Sequence, residues 1–141
     1  MLEEVVKSLE KTKAAWHPWD DTDPEGLQFC VRALTEVEKS AIPVFNETAR
    51  RKQSAQFDWR GYAKKFCRMA IIEWKGMKIK HLPEILDMSK SSLDAADMEK
   101  DVPFTEKEKE FILDRMNGEF SDWVSFTEKA SAKHGKELEK N

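Results

Sequence analysis

The sequence predicts a mainly α-helical single domain over residues 1–141, a small bundle of about five helices with one short β segment near residues 27–34. Three observations support this prediction. Apolar residues recur at steps of three and four in several segments, two Thr-x-x-Glu capping boxes precede such segments, and one stretch alternates apolar with polar residues. Five Trp and eight Phe in 141 residues are enough to build a core without metal or disulfide support.

The first 26 residues are expected to form a helix followed by an acidic loop. Apolar residues at Leu2, Val5, Val6 and Leu9 predict an amphipathic helix over Leu2–Trp16. Residues 17–26 then hold two prolines, a glycine and four acids, a composition typical of a loop.

A short strand and a capped helix follow this loop. Leu27, Phe29, Val31 and Ala33 fall on one side of residues 27–34, which is the alternation of a strand, although no second strand is evident. Thr35 and Glu38 form a capping box that starts a helix, and Pro43 bends or ends that helix.

The strongest helix pattern spans Trp59–Trp74, with Asp58 as its cap and Gly76 as its end. The apolar stripe of this helix, expected to face the core, consists of Trp59, Tyr62, Ala63, Phe66, Ala70 and Trp74. Residues 77–88 are expected to hold one short turn. Residues 89–101, rich in Ser and Asp, are expected to form a mobile loop.

Two more helices complete the predicted bundle. A second capping box, Thr105 with Glu108, opens a helix that Asn117-Gly118 ends. The last helix runs from about Glu119 to His134, with Ser121 as a plausible cap, and residues 135–141 form a charged, frayed tail. Its buried side is expected to hold Phe120, Trp123, Val124, Thr127 and Ala130.

Charge is distributed unevenly along the chain. Residues 47–80 carry ten Lys or Arg against three acids, whereas residues 84–110 carry four Lys against nine acids. On the predicted helix, Arg60, Lys64 and Arg68 form a basic stripe at four-residue steps. Such a stripe suits phosphate contact in nucleic acid. It equally suits a solvated face, neutralisation by the acidic segments, or docking of an acidic protein segment, so these interpretations stay open.

No catalytic grouping is evident, and we expect a protein that is not an enzyme and binds no cofactor or metal. The sequence lacks a glycine-rich phosphate loop and a Gly-x-Ser-x-Gly elbow. Cys30 and Cys67 are expected to be reduced and at least partly buried, and no two histidines have the spacing of a zinc site on one helix. No apolar run is long enough for a membrane span, and the N-terminus does not resemble a signal peptide.

Two aromatic residues of the last helix are candidate partner contacts. Trp123 and Phe126 lie three positions apart, so one is expected to face the core and the other the solvent. An exposed phenylalanine on a charged surface is a candidate contact for a protein partner. Together with Arg60, Lys64 and Arg68, these two residues are the predicted partner-binding residues.

Several separated segments resemble one protein family. Residues 29–38, FCVRALTEVE, resemble the "F-x-V-R-x-L-T-x-x-E" opening of small tail assembly chaperones of long-tailed bacteriophages and prophages. Residues 71–76 resemble their "helix, then W-x-G" segment, and residues 102–105 their "V-P-F-T" element. The terminal helix from Phe120 also fits in order and spacing, whereas residues 77–101 form an insertion that the family pattern lacks.

The resemblance implies a non-enzymatic helical binding protein of virion morphogenesis. Members of this family coat the aggregation-prone tape measure protein and recruit tail tube subunits in the cytoplasm of the bacterial host, so these two proteins are the expected partners. Self-association is a further expectation; membrane binding is not expected. The alternative is a nucleic-acid-associated or regulatory helical protein that uses the basic residues 47–80.

Overall fold

The computed structural model describes residues 1–5, 14–42 and 58–140, and side chains up to residue 133. Three strands form an antiparallel sheet in the order β1 (Ala14–Pro18), β2 (Gln28–Arg32) and β3 (Ile71–Lys75). Residues 2–5, at the start of the helix predicted over Leu2–Trp16, are helical. The other helices are α1 (Glu36–Ser40), α2 (Trp59–Ala70), α3 (Leu82–Ile85), α4 (Glu106–Arg115) and α5 (Gly118–Lys140). Short 3₁₀ turns lie at Ile79–His81, Lys90–Ser92 and Ala95–Asp97.

The expectation of a mainly α-helical bundle with a single β segment is wrong, because the described part of the chain is a mixed α/β fold. The predicted strand is real, but β2 is the central strand of a sheet with β1 on one side and β3 on the other. A central strand needs backbone partners along both edges. Those partners come from two segments whose local patterns predict helix.

The first of these segments is the end of the predicted helix Leu2–Trp16. Ala14, Ala15 and Trp16 lie in β1, where Ala15 pairs with Val31 and His17 with Phe29. Alanine favours helix in isolation, but pairing with β2 overrides that preference. Residues 6–13 of the predicted helix lie outside the described residues, as does Pro43.

The second segment is the end of the predicted helix Trp59–Trp74. Helix α2 stops at Ala70, and Ile71 takes extended backbone angles at the start of β3. The adjacent β-branched Ile71 and Ile72 favour a strand over a further helical turn. Trp74 is 4% exposed and belongs to the core as expected, whereas Trp59 is 64% exposed, contrary to its place in the predicted core stripe.

The core lies between the inner face of the sheet and helices α2, α4 and α5. The sheet contributes Phe29, Val31, Ile71 and Trp74, and the helices contribute Phe66, Cys67, Ile112, Leu113, Phe120 and Val124. The outer face of the sheet carries Trp16, with Lys75 4.3 Å from the centre of its ring. Both cysteines are buried and unbridged.

The predicted helix caps are largely present. Thr35 and Glu38 form a complete capping box, Asp58 accepts from the Gly61 N–H, and Thr105 accepts from the Glu108 N–H. The start of α5 differs from the prediction. Asn117 Oδ1 accepts from the Phe120 N–H at 2.8 Å, so Asn117 caps α5, and the Ser121 hydroxyl instead donates to the Gly118 carbonyl oxygen.

The insertion folds back on its own beginning. The N–H groups of Ile79 and Lys80 donate to the carbonyl oxygens of Lys100 and Met98, respectively. The Val102 N–H donates to the Met77 carbonyl oxygen at 2.8 Å. The mobility of residues 89–101 stays a prediction. Fraying of residues 135–141 also stays a prediction, and in the structure α5 continues to Lys140. No described helix is long and apolar enough to cross a membrane.

Candidate protein-binding surface

The basic stripe of α2 lies against α4 and is neutralised there. Arg68 Nε and Nη2 donate to the two carboxylate oxygens of Glu110 at 2.7 and 2.9 Å. Lys64 contacts Asp114 and also lies 3.6 Å from a Glu110 oxygen. These contacts place Lys64 and Arg68 opposite carboxylates of α4, one of which, Glu110, belongs to the acidic segment 84–110.

Arg60, the third member of the stripe, reaches the end of α4. Its guanidinium donates to the Asp114 carbonyl oxygen at 2.7 Å and to the Met116 carbonyl oxygen at 3.3 Å. Carbonyls of the last helical turn lack partners within the helix, and a cation there complements the helix dipole. Arg60 therefore caps α4 at its C-terminal end.

The pKa shifts of the stripe follow from these contacts. The hydrogen bonds from Arg68 hold the pKa of Glu110 below its ordinary value, and those to Glu110 raise the pKa of Arg68. Both side chains are about two-fifths exposed, so solvent screens the pair and its net contribution to stability is modest. The stripe therefore forms solvent-accessible contacts between α2 and α4.

Trp123 and Phe126 differ in their surroundings on α5. The Trp123 ring packs against Trp19 and Phe29, with centroid distances of 5.2 and 5.5 Å. Phe126 is 74% exposed. Of the two candidate partner contacts, Trp123 supports the core and Phe126 is presented to solvent.

A groove of about 360 Å³ lies between α2 and α5. Tyr62 and Phe66 form its aromatic wall on α2, with their rings stacked at a centroid distance of 6.1 Å. Asp122 and Ser125 form the facing wall, and Phe126 lies one turn after Asp122 on the same helix. Trp59, which is 64% exposed, also lines the groove. The groove therefore combines an aromatic wall from α2 with a polar wall from α5.

A buried serine–histidine contact has a structural role. His17 Nε2 lies 2.9 Å from Ser131 Oγ, a distance that a nucleophile and its general base would also have. Ser131 is fully buried, however, and its hydroxyl donates to the Val31 carbonyl oxygen at 2.8 Å. Since the hydroxyl has one proton, His17 Nε2 is the donor of the other bond. The contact ties β1 and β2 to α5.

A polar cleft of about 310 Å³ contains His81 with Glu84, Asp20 and Asp23. The Lys78 N–H donates to His81 Nδ1 at 2.9 Å, and Asp20 accepts from the N–H and hydroxyl of Thr22. Among the described residues, no group of His, Cys, Asp and Glu has the arrangement of a metal site. Within the cleft, His81 and Asp20 are therefore held by local hydrogen bonds.

The burial of two charged residues was not predicted from the sequence. Glu128 is 1% exposed and accepts from the Leu34 N–H at 3.0 Å, with Lys39 Nζ 3.2 Å away. Lys109 is 7% exposed and donates to the Arg68 and Ile71 carbonyl oxygens, at 2.7 Å in each case. Glu128 follows Val124 by four positions, so helical periodicity could have placed it on the buried face. By contrast, Ala130, predicted on that face, is exposed.

Comparison of the chain with protein-family models, curated proteins and solved structures finds no match. The interpretation of this surface therefore rests on its residues, its geometry and the motifs in the sequence.

Proposed function

We propose that this protein is a non-enzymatic tail assembly chaperone of a long-tailed bacteriophage or prophage, which acts in the bacterial cytoplasm. In this role it binds the tape measure protein and recruits tail tube subunits during tail assembly. The groove between α2 and α5 carries the proposal, because aromatic side chains of α2 line it and the exposed Phe126 lies one helical turn after Asp122, one of its lining residues.

A groove of this kind suits a helical partner. An amphipathic helix docks by placing apolar side chains at three- and four-residue steps into a cleft between helices. Aromatic residues supply much contact area and dominate the binding energy of such interfaces. The tape measure protein expected from the family resemblance is a long helical chain that needs its apolar surface covered.

The motifs that carry the resemblance meet one another in the fold. Phe29 of the first motif packs edge-on to Trp74 of the second, with ring centroids 6.4 Å apart. Trp74 packs in turn against Phe104 of the third motif, with ring centroids 4.8 Å apart. Residues far apart in the sequence thus form one cluster, which supports treating the motifs as the signature of one fold. Partner contacts are then expected elsewhere, on the α2 and α5 surface.

The alternative function, nucleic-acid binding by residues 47–80, needs cations available to phosphates. In the structure Arg60, Lys64 and Arg68 instead contact carbonyl and carboxylate oxygens of α4 and its end. Residues 47–57 lie outside the described residues. The chaperone proposal is favoured because the groove needs no rearrangement of these contacts.

The test is co-expression with the tape measure protein of the same phage or prophage, scored by how much of that protein stays soluble and co-purifies. The parent should retain it, and Phe126→Glu should abolish retention by placing a charge where an apolar contact is needed. Val37→Glu is the matched control, because Val37 is 78% exposed on α1, away from the groove. Both variants should keep the parent's urea midpoint.

Two results would overturn the proposal. One is failure of the parent to retain any tape measure segment. The other is tight binding of duplex DNA that weakens steeply with salt and is lost when Arg60, Lys64 and Arg68 are all changed to Gln, since each lost phosphate contact should lower the log–log salt slope by roughly one.

A further inference from the structure

We propose that the groove between α2 and α5 receives a lysine or arginine side chain from an amphipathic helix of the partner, with Asp122 as its counter-ion. The partner's identity rests on the proposed function, whereas the chemistry of the occupant rests on the groove itself.

The first argument is the charge inside the groove. Asp122 is exposed and is the charged side chain among the described residues that line it. None of the ion pairs between described residues includes Asp122. A carboxylate beside aromatic rings is a site where an incoming cation gains a charge-assisted hydrogen bond.

The second argument is that α2 points its own cations away from this groove. Arg60, Lys64 and Arg68 contact α4 and its end, while Tyr62 and Phe66 line the groove toward α5. The charge of Asp122 is therefore left for a partner to neutralise.

The third argument is the shape and lining of the groove. Its volume of about 360 Å³ is at the small end of ligand pockets, which suits one long side chain and its neighbours. Lysine and arginine carry an apolar stem below a charged head. The stem would lie along the Tyr62 ring, the head would reach Asp122, and the aromatic faces would add cation–π attraction. The exposed Phe126, one turn after Asp122 on α5, would contact the next apolar turn of the partner helix.

The first experiment uses small probes and does not depend on the partner. The ¹⁵N-labelled protein is titrated with N-acetyl-argininamide and, separately, with the neutral N-acetyl-norleucinamide. The arginine amide should shift the amide signals of Tyr62, Ser121, Asp122 and Ser125 with millimolar affinity, and the neutral amide should shift them less. The arginine effect should be lost in Asp122→Asn and kept in Glu119→Gln, which removes a neighbouring acid of the same helix. Equal shifts from both probes, or an unchanged response of Asp122→Asn, would overturn the inference.

The second experiment measures the affinity of a retained tape measure fragment for the same variants. Removing the counter-ion should weaken binding about tenfold, as for loss of a charge-assisted hydrogen bond, and Glu119→Gln should have little effect. If the parent and Asp122→Asn bind the fragment equally, the inference fails and the proposed function stands. If the arginine amide binds through Asp122 but no fragment is retained, the proposed function fails and the chemistry of the groove stands.

Discussion

The indole N–H of Trp74 donates a hydrogen bond to the Val102 carbonyl oxygen at 2.8 Å. This bond joins the end of β3 to the segment that leads into α4. Phe104, two residues after Val102, packs edge-on against the same indole ring. Because Trp74 is 4% exposed, its ring and its single polar atom are both satisfied inside the protein.

Changing Trp74 to Ala should lower the free energy of unfolding by about 3–5 kcal/mol, the usual cost of emptying a large buried aromatic site. Trp74→Phe keeps most of the ring contacts but leaves the Val102 carbonyl without its donor, so it should cost about 1–3 kcal/mol. Urea unfolding followed by circular dichroism measures both values.

The control for this prediction is Trp16→Ala, because Trp16 is 38% exposed on the outer face of the sheet. Its effect should be clearly smaller than that of Trp74→Ala. Equal losses for the two variants, or an unchanged midpoint for Trp74→Ala, would show that Trp74 does not hold the fold together.

The outcome for Trp74 also shows what local sequence patterns can and cannot predict about the fold. The helix spacing of Trp59–Trp74 led to a buried Trp74, which is correct, but assigned it to a helix, which is wrong. Periodicity is a local signal, whereas β3 exists because β2 needs a partner on that side. The caps at Thr35, Asp58 and Thr105 were predictable because each cap bonds a backbone group within three residues.

The candidate site also combines features that local sequence patterns predict with features that depend on tertiary packing. Four-residue spacing was enough to put Arg60, Lys64 and Arg68 on one face of α2, but the contacts with α4 depend on tertiary packing. The exposed Phe126 was a sequence candidate. The groove was not, since its walls come from residues 59–67 and 121–125, which no local pattern connects.

Lys109 should prove more important for stability than the exposed ion pairs beside it. Its ammonium group donates to the Arg68 and Ile71 carbonyl oxygens, where α2 ends and β3 begins. Burial lowers the pKa of Lys109 from its ordinary value. Lys109→Met removes both of these buried hydrogen bonds, so it should cost about 1–3 kcal/mol in urea unfolding.

The matched control is Lys107→Met, since Lys107 is an exposed lysine in the same helix. Its free energy of unfolding should stay within about 0.5 kcal/mol of the parent value. If the two variants lose the same stability, the buried ammonium does not stabilise the junction between α2 and β3.

Glu38 should stabilise the protein at neutral pH and lose that effect in acid. Arg32 donates to both of its carboxylate oxygens, at 3.0 and 2.6 Å, which lowers the pKa of Glu38 to about 2. Because the folded-state pKa lies below the unfolded value, the contribution is present above pH 4.5 and is lost as the pH falls toward 2. It amounts to about 3 kcal/mol at most at neutral pH.

Stability measured by urea unfolding from pH 7 to 3 in the parent and in Glu38→Gln tests this effect. The variant should be less stable at pH 7, and its difference from the parent should shrink as the medium becomes more acidic. Glu36→Gln, an exposed neighbour in the first turn of α1, is the control and should follow the parent. A constant difference between the parent and Glu38→Gln across this range would contradict the assignment.

His81 should make the fold less stable below neutral pH. Burial is the main cause that lowers the pKa of His81 below 6.5; Lys80 lowers it further, while Glu84 and Asp23 act in the opposite direction. Protonation would also remove Nδ1 as the acceptor of the Lys78 N–H. Since the unfolded chain binds this proton at a higher pH than the folded chain, the free energy of unfolding should fall as the pH drops through 6.5. An NMR titration should give a pKa for His81 below 6.5, with Nε2 carrying the proton of the neutral ring. His81→Asn should lose less stability than the parent between pH 7.5 and 5.5, a window of about two units around the ordinary histidine pKa. A measured pKa above 6.5, or equal losses in both proteins, would show that His81 is stabilised in its charged form.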